Sequence, residues 1–522
     1  MPSWKTISRR ATSMRAPDPA LEQSVRCSRS TRGGRSRCRI SWIEATPSSD
    51  LDHYRLHTRT RMSYKEIEPV GDGGVTRREF LARSGRATAG LAGLSLVIPL
   101  TPGSVRAAPE VHLTVWWWGE QEAPGLQQWV RETVHRYKAA HPGVEIATVL
   151  QATESLYPSF ASAGQARQGP DIQYMWGGVS TMQFVWRGYV HPISDLLSKD
   201  DLEPVFPDSL RETAFRGKVY GLPWYALPFL LVYSKPAFVQ AGLDPDHPPR
   251  TWDAFLSAAD RLRAAGFVPW GYGVKGLSGI GNFSSLFILQ ELDDSTDILK
   301  AATGEVPFID PLYSSWLHRV EEMVRKGVFN RDVSSLEYYQ AQNLFLAGEA
   351  AMAVAGQTKV SYFSKMLGEE NVGVMLPPRF GKGRLAGRMP NTAQQLLVTS
   401  WSDYKEEAAD LLCYFHTPER LDRMHVLSGA IPPDRRFDRS RLVWPQDRTI
   451  AAWMGSESMT NYQNYWPPQM DRENLFPTVQ SLFAGALSAD RAAEQVDEFL
   501  NRWRDSNVDT VEELATWASE AR

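Results

Sequence analysis

Three cysteines in 522 residues are too few for a disulfide scaffold. Cys27 and Cys38 lie in the arginine-rich front, so the rest of the chain holds only Cys413 and can form no internal disulfide. No segment reaches 18 continuous apolar residues, so no membrane span is expected. There is no Walker A pattern. The eight histidines after residue 107 make no H-x-x-x-H or similar ligand pair, which leaves no metal signature and no expected cofactor. Net charge is also small, at −3, but it is unevenly spread. Residues 1–61 carry +8, residues 62–107 carry +2, and residues 108–522 carry −13. An acidic body lacks the basic face that phosphate backbones require, which excludes nucleic acid as a partner.

The front of the chain reads as an address. Residues 1–61 show little apolar periodicity and are expected to be a disordered extension, or to lie upstream of a true start at Met62. Residues 62–107 read as a signal region. Thr76-Arg77-Arg78-Glu79-Phe80-Leu81 resembles the twin-arginine (Tat) consensus, with Ala82 where a basic residue is common. The apolar stretch Ala87–Leu100 and the small-residue site Val105-Arg106-Ala107 follow. Cleavage after Ala107 would leave a mature chain starting at Ala108. The apolar stretch is followed by no cysteine, so no lipid anchor is expected.

The body alternates strand and helix. Val111–Trp117 has strand alternation, Leu126, Trp129, Val130, Val134 and Tyr137 fall at helical spacing, and Val144–Leu150 returns to strand. Such a βαβ unit implies a parallel sheet in an α/β fold. Thr251 is expected to cap a helix whose apolar stripe is Trp252, Phe255, Leu256, Ala259 and Leu262. Gly271-Tyr272-Gly273-Val274-Lys275-Gly276 matches G-x-G-x-x-G. It lacks the expected strand–turn–helix setting and reads as a flexible loop, not a dinucleotide site.

Sixteen of the 18 tryptophans lie in the body. Several stand at strand ends or in loops beside Gly, Pro or polar residues: Trp116–Trp118, Trp176-Gly177, Trp224-Tyr225, Trp270 and Tyr465-Trp466. In open parallel sheets, ligands bind beyond the carboxyl ends of the strands. An aromatic placed there offers a flat apolar face, and the CH-rich face of a sugar ring stacks on such a platform. Hydroxyl rims need polar partners, for which Glu120, Asn282, Gln357 and Gln394 are near. The recurrence of the pattern points to a carbohydrate-like ligand.

A series of segments resembles the bacterial extracellular solute-binding proteins of the sugar-binding type, the family of the maltodextrin-binding protein. They are Tyr137–Ile146 with its Pro142-Gly143, Gly169-Pro170-Asp171-Ile172, Gly188–Leu197, Gly217–Tyr225, Leu231–Lys235, Pro249–Asp253, Phe345–Met352 and Gly356-Gln357. Thr358 and Asn391-Thr392-Ala393 depart from the family pattern.

The resemblance implies a two-lobed periplasmic-binding-protein fold, each lobe a sheet flanked by helices, with the ligand cleft between them. Residues 108–224 and 393–429 would form one lobe, and residues 225–392 and 430–522 the other. The chain would cross near Trp224–Phe229, Met389–Ala393 and Gly429–Pro433. The implied function is that of an extracytoplasmic, monomeric receptor of an ABC importer. It would close on a sugar or oligosaccharide by hinge motion and dock on membrane permease subunits, with no catalysis. Expected stacking faces are Trp117, Trp118, Trp176, Trp224 and Trp466. Polar contacts are expected from Glu120, Asn282, Gln357 and Gln394, with Gly177, Tyr225, Phe283, Gly356 and Tyr465 alongside. The alternatives are a secreted carbohydrate-active enzyme using Glu120 in an acid–base pair, and a binder of another polyol or a phosphorylated small molecule. For the latter, Arg379, Lys382, Arg384 and Arg388 would be the candidate cations.

Overall fold

The computed structural model describes residues 111–521 apart from Leu277. The expected extension and signal region, residues 1–107, lie outside the described residues. In chain order the first strands are β1 (Val111–Trp117), β2 (Val144–Leu150), β3 (Ile172–Trp176), β4 (Ala214–Phe215), β5 (Lys218–Val219), β6 (Gly221–Ala226) and β7 (Phe229–Ser234). They are followed by β8 (Val268–Trp270), β9 (Ala350–Gly356), β10 (Val372–Met375), β11 (Met389–Asn391), β12 (Ala393–Val398) and β13 (Ser458–Thr460). Two sheets form the framework, in the orders β2-β1-β3-β12-β6 and β10-β7-β9-β8. β1 pairs in parallel with β2 and β3, as the βαβ pattern requires, whereas β12 runs antiparallel to β3 and β6.

Local chemistry accounts for these elements. Helix Leu126–Ala140 buries Leu126, Trp129, Val130, Val134 and Tyr137, the residues at helical spacing. Thr251 caps helix Trp252–Ala264 by accepting from the Ala254 N–H, and Gly266 follows its end at φ +94°. β9 is Ala/Val-rich and buried along its whole length, as befits a strand covered on both faces. No helix among the described residues is long and apolar enough to cross a membrane.

The chain passes between the sheets at neighbouring points. β6 ends at Ala226 in one sheet, and β7 begins at Phe229 in the other. The Ala226 N–H donates to the Ile431 carbonyl at 3.0 Å, and the Leu227 N–H to the Thr392 carbonyl at 2.8 Å. Three strands of backbone thus run side by side where the lobes meet. The final helix, Val508–Ala521, reaches back to the first lobe, where Trp517 Nε1 donates to the Ala214 carbonyl at 2.9 Å.

The glycine-rich segment 271–276 differs from the flexible loop expected. It follows β8 and leads to helix Ser278–Ser285. Its backbone is tied to the segment opposite, the Val274 N–H to the Val333 carbonyl and the Lys275 N–H to the Leu336 carbonyl. A Cβ on Gly273 would come within 2.5 Å of the Leu336 carbonyl oxygen, so the glycine serves close backbone approach.

Candidate ligand-binding site

The parallel strands of the first sheet deliver one wall of a cleft at their carboxyl ends. Trp118 follows β1, Thr153 and Tyr157 follow β2, and Trp176 ends β3. Trp118 and Trp176 meet edge-on, with centroids 5.4 Å apart, and Tyr157 stacks on Trp176 at 5.5 Å. Trp118 is fixed by its Nε1, which donates to Thr153 Oγ1 at 2.8 Å. Gly178, at φ +66°, turns the chain from β3 into helix Val179–Trp186. A Cβ there would come within 2.1 Å of the Asn464 carbonyl oxygen, so only glycine lets the opposite segment approach.

The second lobe supplies the facing wall: Phe229, Asn282, Tyr338, Tyr339 and the segment 461–476. Together they enclose a cavity of about 370 Å³. Its polar lining includes Asn282, Gln463, Asn464, Glu122 and Asp471. Asp471 is buried and accepts from Tyr462 Oη at 3.1 Å and Gln463 Nε2 at 3.1 Å. Burial outweighs those donors and pushes its carboxyl up to about 7. Glu122 is 1% exposed. Burial raises its pKa, opposed by the hydrogen bond from Tyr339 Oη (2.7 Å) and by the charge of Lys359. Behind Gly177, Glu212 accepts from the Ala393 N–H at 2.9 Å, and burial pushes its carboxyl up to about 8.

Of the residues expected to bind, Trp118, Trp176, Gly177, Asn282 and Trp466 line this cavity. The others lie elsewhere. Trp117, Trp224 and Phe283 are packed in the core at 2%, 1% and 0% exposure. Tyr225 is equally buried, against Trp224. Glu120 accepts from the N–H groups of Gly125 and Gln127 at the start of helix Leu126–Ala140, where a carboxylate complements the helix dipole. Gln357 donates to Asp447 Oδ1 and to the Gly429 carbonyl, away from the cavity. Gln394 accepts from the Tyr174 hydroxyl, Gly356 packs on Glu122, and Tyr465 packs on Trp517. Tyr157, Glu122, Gln463, Asn464 and Asp471 were missed. Gln463 and Asn464 directly precede the aromatic pair Tyr465-Trp466, but nothing local distinguished them as cavity-facing.

The candidate phosphate cations do not converge on the cavity. None of Arg379, Lys382, Arg384 and Arg388 lines it, and the Arg388 guanidinium instead reaches the Ser456 and Ser458 carbonyls. Among the described residues, no three His, Cys, Asp or Glu side chains are grouped to hold a metal.

Known proteins align with this architecture. The family model for "Bacterial extracellular solute-binding protein" matches residues 118–419. The sn-glycerol-3-phosphate-binding periplasmic protein UgpB of Brucella melitensis is 26% identical over 351 residues, covering 65% of this chain and 78% of the relative. Among solved structures, a chitin oligosaccharide binding protein superposes with a TM-score of 0.67 at 22% identity, over 75% of this chain and 98% of the other. Maltose-bound MalE3 of T. maritima superposes at 0.62 with 17% identity, over 75% and 100%. The two lobes, the cleft at the carboxyl ends of β1–β3 and the match over most of the body lead to one conclusion: the chain belongs to the bacterial extracellular solute-binding protein family, as a binding protein and not an enzyme.

Proposed function

We propose that the chain is the extracytoplasmic receptor of an ABC importer, taking a sugar or short oligosaccharide into the interlobe cavity and passing it to membrane permease subunits. The observation that carries this reading is the aromatic wall of Trp118, Trp176 and Tyr157 opposite a polar lining of Asn282, Gln463 and Asn464. Flat apolar faces suit the CH face of a sugar ring, and amides suit its hydroxyls. A cavity of about 370 Å³ is at the low end for small-molecule sites, which favours one or two sugar units. The paired backbones at Ala226, Thr392 and Ile431 would serve as the hinge. The enzymatic alternative loses its acid–base residue, since Glu120 holds a helix terminus.

Thermal-shift screening followed by calorimetric titration tests the reading, with mono- and disaccharides in one arm and sn-glycerol 3-phosphate in the other. The phosphorylated polyol is the second reading, favoured by the UgpB relatives and by Arg472 at the cavity. Trp176→Ala is expected to weaken sugar binding by about 1–3 kcal/mol, the scale of burying a large side chain. An unchanged affinity in this variant would remove Trp176 from the site. Binding of the phosphate ester alone would replace the sugar reading.

The export route is also a proposal. Arg77-Arg78 ahead of Ala87–Leu100 supports Tat export with cleavage after Ala107 and no lipid anchor. Substituting both arginines by lysine is expected to retain the protein in the cytoplasm, as read by fractionation. Undiminished export would exclude the Tat route.

A further inference from the structure

The cavity lining carries three carboxyl groups, Glu122, Glu154 and Asp471, against one cation, Arg472; Glu154 is exposed, and burial favours the neutral form of Glu122 and Asp471. Asp471 has its donors in Tyr462 and Gln463. Glu122 does not: its Oε2 accepts from Tyr339 Oη at 2.7 Å, while its Oε1 has no partner. A buried carboxylate oxygen without a donor is costly, more so in a low-dielectric site. Glu122 is nonetheless held in place from the other lobe, since its carbonyl accepts from Thr358 Oγ1 at 2.8 Å and its carboxylate packs on Gly356.

The surrounding rings also favour a cation. Aromatic faces attract cations through their quadrupole. Two of the lining rings already hold cations of the protein itself, Arg472 lying 4.2 Å from the Tyr157 centroid and Lys359 lying 5.4 Å from that of Tyr339. Lys359 is also over Tyr362, at 5.1 Å, and acts on Glu122 from beyond ion-pair distance. A hydroxyl could satisfy Glu122 Oε1 geometrically, but only a cation would also offset the cost of an ionised carboxylate in a buried site. A phosphate would repel an ionised Glu122.

We propose that the cavity selects a carbohydrate bearing one protonated amine, an amino sugar, with Glu122 Oε1 accepting from its ammonium group. The inference rests on the reading of the cavity as a sugar site and names the class of sugar. The ammonium would supply the donor that Oε1 lacks and a charge that favours ionised Glu122 over its neutral form. Charge-assisted hydrogen bonds of this kind are stronger than neutral ones. Glu122 is then a specificity-determining residue, distinct from the aromatic faces that would bind any sugar ring.

Calorimetric titration of the purified chain near neutral pH and at low salt tests this. The probes are glucosamine, galactosamine and the β-1,4-linked glucosamine disaccharide, each beside its neutral parent and its N-acetylated form. The amine is expected to bind at least about tenfold more tightly than both neutral counterparts, and Glu122→Gln to bring that ratio down to about one. Equal binding of the amine and its N-acetylated form by the unaltered chain would overturn the assignment while leaving a sugar receptor in place. A preference that survives Glu122→Gln would overturn the role of Glu122. If no carbohydrate in any series binds, the sugar reading falls, and the amine with it.

Discussion

Trp224→Ala is expected to destabilise the folded chain by about 3–5 kcal/mol, the usual cost of truncating a buried aromatic. In the sequence Trp224 reads as a ligand platform, because it precedes Tyr225 in the segment that leads across to the second lobe. In the structure it is 1% exposed and lies within an aromatic cluster. Its ring centroid is 5.6 Å from Trp129, 5.6 Å from Tyr225, 6.2 Å from Tyr174 and 6.4 Å from Trp117. These pairs cross the sheet and tie β1, β3 and β6 to helix Leu126–Ala140. The indole Nε1 has no hydrogen-bond partner, so truncation breaks no polar network, and its cost is lost burial plus a cavity the neighbours cannot fill. Denaturant unfolding measures the loss, and titration of the folded variant separates it from binding. Trp176→Ala should show the reverse pattern, with affinity lost and stability less affected, because Trp176 is only half-buried and faces the cleft. A Trp224→Ala protein with unchanged stability and no ligand binding would return Trp224 to the site.

The contrast between the two tryptophans shows what the sequence could express. Periodicity read the elements well: the strand–helix–strand opening, the stripe of helix Trp252–Ala264 and its Thr251 cap depend on neighbours within a few residues. The family resemblance supplied the two-lobed fold, because ordered segments constrain a topology that no single spacing does. The cavity was only partly legible. A period of two tells which residues share a face of β1, so Val115 and Trp117 point together into the core. It does not tell which way Trp118 turns once the strand has ended. Glu120 and Glu122 are two residues apart in the same irregular turn, and nothing local separates a helix-terminus carboxylate from a cleft carboxylate. The path of that turn against Thr358 and Tyr339, more than 200 residues away, decides it. Asp471 and Gln463 arrive from a late segment of short turns with no sustained period, so no pattern marked them.

The folded chain is also expected to lose stability as pH rises from about 4 to about 8, and Asp447→Asn to remove part of that loss. Asp447 is fully buried in helix Pro445–Ser456. It accepts from Gln357 Nε2 at 2.6 Å and Ser361 Oγ at 2.8 Å, and burial still pushes its carboxyl up to about 7. Two ionisable neighbours face it. Arg448 acts weakly through its charge. His425 lies 3.9 Å away, but its Nε2 accepts from the Val443 N–H and its Nδ1 meets the Ala430 carbonyl, so the ring is neutral, and burial keeps its pKa low. In the unfolded chain the same carboxyl titrates near 4, so between about 4 and 7 folding takes up a proton. Its stabilising contribution is therefore complete below the unfolded value and is lost as pH rises through the folded one. A rise of this size corresponds to roughly 4 kcal/mol at the alkaline end. Asp471, at about 7, and Glu212, at about 8, act in the same direction, so Asp447→Asn should flatten the profile without abolishing its slope. Groups of opposite sign act at lower pH. Arg423 holds Glu132 down to about 2, and His416 and Arg436 hold Asp434 well below the usual range despite its burial. These lose their contribution only in acid and leave the neutral window to the buried carboxyls. Thermal unfolding of both proteins across pH 4 to 9, roughly the window set by these values, measures the effect. Parallel profiles for the two proteins would mean that Asp447 folds as a carboxylate, its two donors outweighing its burial.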